Sequence, residues 1–230
     1  MTDRPATIAE EAAPRAPLTR ERIVIAGLYV MNTEGLEAVT MRRLGRRLSV
    51  EAMSLYHHVQ DKDDLLTAMS EQILREMDVP QDPGGDPLEQ LRVLSQSFRR
   101  VLLAYPEGVK LFTASRAPFR SPEALRPIDR TLAVLQRTGL SDQDVVNAYC
   151  LFVGYTLGFV TNEVSGFLSS EAQTRKAATT EDVLAAMSEA FPSLARFLPS
   201  MADRDPEANF AFGLEVILGG IAERVARSDG

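Results

Sequence analysis

The chain has 230 residues, of which 45% are hydrophobic and 25% are charged. These proportions are typical of a globular protein and exclude collagen-like, wholly disordered and disulfide-scaffold chains. The single cysteine, Cys150, cannot form an internal disulfide, and the first residues lack the pattern of a secretory signal. We therefore expect a protein of the reducing cytoplasm.

The net charge of −7 conceals a local asymmetry. Residues 15–62 carry eight Lys and Arg against five Asp and Glu, whereas residues 63–230 carry 16 basic and 24 acidic side chains. A basic segment on an acidic body indicates that one end of the molecule contacts a polyanion.

Capping residues and apolar spacing predict four helices near the start of the chain. Thr19 is an N-cap for a first helix that ends near Gly35, and Thr40 caps a shorter second helix. A third helix is predicted over about Glu51–Val59, and Asp61 caps a fourth. The second and third, joined by a tight turn, form a helix-turn-helix candidate.

The rest of the chain also reads as helical, and no alternating strand pairs stand out. Helices are predicted at Leu88–Tyr105, Ser121–Thr138, Ser141–Phe167, Glu181–Phe191 and Glu207–Ala226. The polar residues 169–180 are predicted to form a loop. The fold class is therefore all-α, with a small N-terminal bundle and a larger C-terminal one.

The predicted domain organisation has three parts. Residues 1–17 lack an apolar period and are predicted to form a disordered lead. Residues 18–79 form the helix-turn-helix domain, because the turn-forming stretch that begins at Pro80 breaks the fourth helix. Residues 80–230 form the larger helical domain.

The run TMRRLGRRLSVEAMSLYHHVQDKDDLL, residues 40–66, closely resembles the DNA-binding signature of the TetR family of bacterial transcription regulators. Leu-Tyr-His-His-Val followed by Asp-Lys is most similar to the tetracycline-repressor branch. The resemblance implies a DNA-binding domain followed by a domain that binds a ligand and dimerises. It departs at Ser49, where the family usually has glycine, so strain or altered geometry is expected in the turn.

The matching positions imply a set of DNA contacts. Tyr56 and Lys62 would contact phosphate. For His58 a phosphate contact is the alternative to reading a base. Thr40 and Arg42 lie where the family contacts backbone or a neighbouring base, and Arg42 could read a guanine. The predicted groove readers are Ala52, Met53, Ser54 and His57. Arg43, Arg46 and Arg47 are interpreted as a solvated face that adds general attraction to DNA.

Aromatic and apolar side chains in the larger domain are candidates for a ligand pocket, although such residues at helical spacing more often form core. The candidates are Phe98, Leu102, Phe112, Tyr149, Phe152 and Tyr155. The chain has no histidine after His58. Because tetracycline repressors use a histidine of the ligand domain to bind a magnesium-chelated drug, this chain is expected to bind a different effector. No metal site and no cofactor are expected.

Residues 145–162 are uncharged and of about membrane length, but their flanks are acidic. A buried helix is the preferred interpretation, with Cys150 as an interior thiol. Gly154 and Gly158 leave a smooth stripe, which with the apolar last helix is predicted to form the four-helix interface of a homodimer.

The alternatives to a DNA-binding regulator are an enzyme and a helical adaptor. An enzyme is disfavoured because the larger domain has no histidine, no second cysteine and no phosphate-binding loop. A helical adaptor that binds protein instead of DNA stays open, and salt-sensitive binding to duplex DNA would separate it from a regulator. The favoured function is a repressor that binds a palindromic operator and is released by a small hydrophobic ligand.

Overall fold

The computed structural model describes residues 17–82, 84–114, 121–165, 190–202 and 205–228. These residues form α-helices and one short 3-10 helix, with no strand among them, which confirms the all-α prediction. The helices are α1 (Arg20–Glu34), α2 (Met41–Leu48), α3 (Ala52–Leu55), α4 (Lys62–Arg75), α5 (Pro87–Ala104), α6 (Gly108–Ala114), α7 (Pro122–Arg137), α8 (Asp142–Val164), α9 (Pro192–Ala202) and α10 (Pro206–Ser228).

The ends of the first helices follow from their capping residues. The Thr19 side chain accepts a hydrogen bond from the Arg22 amide, and Gly35 ends α1 with a φ of 90° that glycine adopts without strain. Thr40 and Asp61 cap α2 and α4 in the same way as Thr19. The predicted caps are therefore confirmed.

The predicted third helix, Glu51–Val59, was too long. The α-helix of this segment covers Ala52–Leu55 only, and residues 56–58 form a turn. The amide of Tyr56 bonds to the carbonyl of Met53 and the amide of His58 to that of Leu55, so the hydrogen bonds tighten to a three-residue spacing.

Two helices were not predicted, α6 and α9. Pro192 was interpreted as a break, but it is the first residue of α9, a position where the missing amide hydrogen costs nothing. The same arrangement begins α5, α7 and α10. Residues 169–180 and most of the predicted helix Glu181–Phe191 lie outside the described residues, as do residues 1–16 of the predicted lead.

Buried side chains of α1 to α4 form one core with residues of α5 and α6. Ile23, Leu44 and Leu55 are fully buried in it, and so are Val101 and Leu111. The core therefore continues beyond the turn-forming stretch near residue 80. By contacts between residues the chain divides into compact units of residues 1–149 and 150–230, and the domain boundary near residue 80 stays a prediction.

The interpretation of α8 as a buried helix was wrong for one of its faces. It is the one described helix long and apolar enough to cross a membrane, with 28% of its apolar window buried. Leu151 is 52% exposed, and a Cβ at Gly154 or Gly158 would have no neighbour within 4 Å. Cys150 lies on this face and is exposed, not interior.

Candidate nucleic-acid interface

The turn between α2 and α3 is formed by a close approach of two backbones. A Cβ at Gly45 would lie 2.8 Å from the Val50 carbonyl oxygen and 3.2 Å from the Ala52 amide nitrogen. The Val50 amide donates to the Gly45 carbonyl at 2.9 Å. Glycine at position 45 therefore allows α3 to pack against α2 at a short distance.

Ser49 adopts the left-handed conformation that this turn requires, with φ 57° and ψ 41°. Its amide donates to the Arg46 carbonyl and so ends α2. The departure from glycine at this position is thus accommodated in the usual helix-ending geometry, with the strain expected for a residue that has a Cβ.

The segment that follows the turn presents its polar and large side chains to solvent. Leu55 and Val59 are buried, whereas Met53 is 72% and Tyr56 45% exposed. His57 is exposed as well. A side chain as apolar as Met53 at such exposure is available to contact a partner.

The other predicted DNA contacts differ in exposure. Thr40, Arg42 and Lys62 are exposed, and Thr40 and Lys62 stand at the N-terminal ends of α2 and α4. The half-buried members of the set are Ala52, Ser54 and His58. None of these nine side chains is fully buried, so each stays a predicted contact.

Two arginines of the predicted solvated face also contact side chains of α1, although Arg47 is exposed and the Arg43 side chain is 36% exposed. Arg43 Nε donates to Glu34 Oε2 at 2.8 Å, and this hydrogen bonding lowers the pKa of the Glu34 carboxyl. The Arg47 guanidinium lies 3.4 Å from the centre of the Tyr29 ring, a cation–π contact. Arg42 and Arg46 are exposed.

An ion pair links the start of α1 to the start of α4. Arg20 binds both oxygens of Asp64, at 2.7 and 2.8 Å, and also donates to the carbonyl oxygen of His58 at 3.0 Å. The hydrogen bond with Asp64 is the main cause that raises the pKa of Arg20. Sequence reasoning missed this pair, because residues 44 positions apart give no local signal.

The ligand candidates of the first compact unit lie in packed surroundings. The rings of Phe98 and Phe112 meet edge to face with centroids 5.9 Å apart, and both pack against the N-terminal core. Leu102 is fully buried and Tyr149 is half-buried. All four residues stay candidates for a pocket. The contacts observed for Phe98 and Phe112 are packing contacts.

In the second unit, Tyr155 packs against α10. Its ring stacks on Phe210 with centroids 5.2 Å apart, and its hydroxyl donates to the Phe210 carbonyl at 2.8 Å. A side chain at Gly213 would collide with that hydroxyl. Phe152 is buried. The contacts give Tyr155 a structural role in joining α8 to α10.

Comparison with known proteins agrees with this arrangement. Residues 23–69 match the family model for bacterial regulatory proteins of the tetR family, and residues 79–225 match that for the tetracyclin repressor-like C-terminal domain. The chain is 31% identical to the class D tetracycline repressor protein of Escherichia coli over 89% of each chain.

Two solved structures are similar over most of their length. ActR of Streptomyces coelicolor in complex with actinorhodin has a TM-score of 0.76 and 28% identity, covering 90% of this chain and 96% of that one. BioQ of Mycobacterium smegmatis with its natural double-stranded DNA operator has a TM-score of 0.63 and 26% identity, covering 90% and 99%. The relatives named as repressors or transcriptional regulators belong to a family that is not enzymatic. The chain belongs to the TetR family of bacterial transcription regulators.

Proposed function

We propose that this protein is a cytoplasmic repressor that binds an inverted-repeat operator as a homodimer and is released by a small hydrophobic ligand. The observation that carries the proposal is the exposed row of Met53, Tyr56 and His57 after a tight helix-turn-helix crossing. A short helix and the turn that follows it, with such side chains exposed, fit the major groove of duplex DNA. The operator bound by BioQ supports the same role for this chain.

The chemistry of the exposed side chains suggests a division of roles. The Tyr56 phenol and the Lys62 ammonium suit phosphate oxygens, which fix register but carry no sequence information. Met53 and Ala52 suit a thymine methyl group, and His57 suits a purine acceptor. Arg42 suits a guanine, and Thr40, Ser54 and His58 complete the proposed contact set.

The exposed apolar faces of α8 and α10 support the homodimer. Leu151, Gly154 and Gly158 leave α8 open, and Phe212 and Val216 of α10 are 72% and 59% exposed. Exposed apolar surface of this kind is typical of an interface, and two copies of both helices would form a four-helix contact. Burial in such an interface would also explain why α8 is apolar over a membrane-like length in a protein that does not cross a membrane.

The proposed ligand is a small, moderately hydrophobic molecule, in keeping with the actinorhodin bound by ActR. The candidates for contact with it stay the residues proposed from the sequence, which are Phe98, Leu102, Phe112, Tyr149, Phe152 and Tyr155. Release requires that the ligand favour one state of the dimer, which in typical systems corresponds to a coupling of roughly 1 to 3 kcal/mol.

A salt titration of duplex DNA binding tests the proposal against the protein-binding adaptor. We expect the logarithm of the affinity to fall linearly with the logarithm of salt concentration, because neutralised phosphates release counterions. Tyr56→Ala should weaken binding to every duplex alike, whereas Met53→Ala should change preference at one position of each half-site. Equal, sequence-independent losses in both variants would refute the division of roles, and no binding to any duplex would favour the adaptor.

A further inference from the structure

Arg20 lies outside the proposed contact set, at the first turn of α1, and reaches two other elements. Its guanidinium forms two parallel hydrogen bonds to Asp64 on α4, and one of its nitrogens also donates to the carbonyl oxygen of His58. The fork geometry of arginine allows these bonds at once, whereas lysine offers a single ammonium.

Asp64 also bonds to the backbone between α3 and α4. Its Oδ2 accepts from the amide of Gln60 at 2.8 Å, and its own amide donates to Asp61 Oδ1 at 2.7 Å. The Asp64 side chain is 10% exposed and that of Arg20 39%. A nearly buried carboxylate that bonds a guanidinium and an amide is costly to disturb, because each lost partner leaves a desolvated group.

The hydrogen bonds meet at the stretch between α3 and α4. The carbonyl of His58 and the amide of Gln60 are both held, while Leu55 and Val59 anchor the stretch from within the core. Tyr56 and His57 project from this stretch. Their direction relative to α3 is thus set by backbone atoms that Arg20 and Asp64 hold.

We infer that Arg20 and Asp64 are positioning residues for DNA binding, which hold residues 56–60 in the conformation that presents Tyr56 and His57. The inference rests on the proposed function and deepens it. Without the pair, the segment would populate other conformations, and the apparent affinity would fall in proportion to the competent fraction.

The rival role for Arg20 is a direct phosphate contact, and Asp64→Asn separates the two. If Arg20 contacted phosphate, removal of the carboxylate would release the guanidinium toward DNA and strengthen binding. If the pair positions the segment, the same variant weakens binding, because the asparagine side chain has one acceptor oxygen where both oxygens of Asp64 accept hydrogen bonds. The slope of the logarithm of affinity against the logarithm of salt concentration, called here the salt slope, adds a second criterion. Loss of one phosphate contact reduces its magnitude by about one.

The experiment measures affinity for the duplex that the wild-type protein enriches from a random pool. We expect Asp64→Asn and Arg20→Lys each to lower the affinity by about tenfold or more, with an unchanged salt slope. Arg100→Lys is the matched control, since Arg100 likewise bridges a carbonyl oxygen, that of Glu76, and an aspartate, Asp78. It should leave the affinity unchanged.

Melting temperature and sedimentation are recorded for each variant, so that loss of binding in a folded dimer is distinguished from unfolding. Unchanged or tighter binding by Asp64→Asn overturns the inference, and so does an equal loss in Arg100→Lys. Failure of the wild-type protein to enrich any duplex would instead overturn the proposed function.

Discussion

Single residues decide the geometry of the turn before the recognition segment. Ser49 is the one described residue other than glycine with a positive φ, and its left-handed conformation ends α2. A residue with a Cβ is disfavoured there by roughly 1 kcal/mol, because the Cβ approaches the following carbonyl oxygen. The turn is therefore formed at a cost that glycine would avoid.

Replacement of Ser49 by glycine should make the protein more stable. We expect the free energy of unfolding to rise by about 0.5 kcal/mol, the relief of the left-handed strain less the greater freedom of glycine in the unfolded chain. Denaturant titration at a fixed protein concentration measures the change. Ser49→Ala is the control, because it keeps the Cβ at the same φ; a variant with alanine as stable as the one with glycine would contradict the account.

At the scale of elements, the crossing of α2 and α3 depends on the missing side chain of Gly45. The neighbouring atoms are backbone atoms of Val50 and Ala52, which cannot move aside as a flexible side chain would. Both helices are also anchored in the core by buried leucines, Leu44 and Leu55. Neither helix can shift without disturbing that core.

We therefore expect Gly45→Ala to lower the free energy of unfolding by about 1 to 3 kcal/mol, as overpacking does in other cores. It should also weaken duplex binding, because α3 must move away from α2. Denaturant titration and a duplex titration measure the two effects. Gly84→Ala is the control, since a Cβ there would meet Asp82 Oδ1 at an ordinary 3.5 Å; equal stability of the two variants would argue against a tight crossing.

The elements also show which features the sequence could predict. Helix starts at Thr19, Thr40 and Asp61 were predictable, because a capping side chain acts on amides two or three residues away. The Arg20–Asp64 pair and the contact of Arg47 with Tyr29 were not, because they join positions that only the folded chain brings together. Exposure of Cys150 was misjudged, since an apolar helix looks the same in a core and at an interface.

At the scale of the whole molecule, the exposed apolar faces of α8 and α10 are the surfaces that support the proposed homodimer. Tyr155 and Phe159 pack on Phe210 on one side of α8, whereas Leu151 and Gly158 face outward. The proposed recognition of an inverted repeat would depend on this association, since two related helix-turn-helix units require a two-fold axis.

Gly158→Leu should separate the dimer into monomers, because a bulky side chain would keep the partner's helix at a distance. The fold of one chain has room for it, as no atom outside the backbone of its own helix turn lies near a Cβ at this position. Sedimentation velocity measures the change, with Gln96→Leu on the exposed side of α5 as the control. A dimer of undiminished stability in Gly158→Leu would remove α8 from the interface.

The most direct test of the account is selection of bound duplexes from a random DNA pool at moderate salt, followed by sequencing. We predict an inverted repeat whose half-sites lie about one helical turn, roughly 34 Å, or more apart. Enrichment of a single asymmetric site, or of none by a folded dimeric protein, would contradict the account of a dimeric, operator-binding regulator.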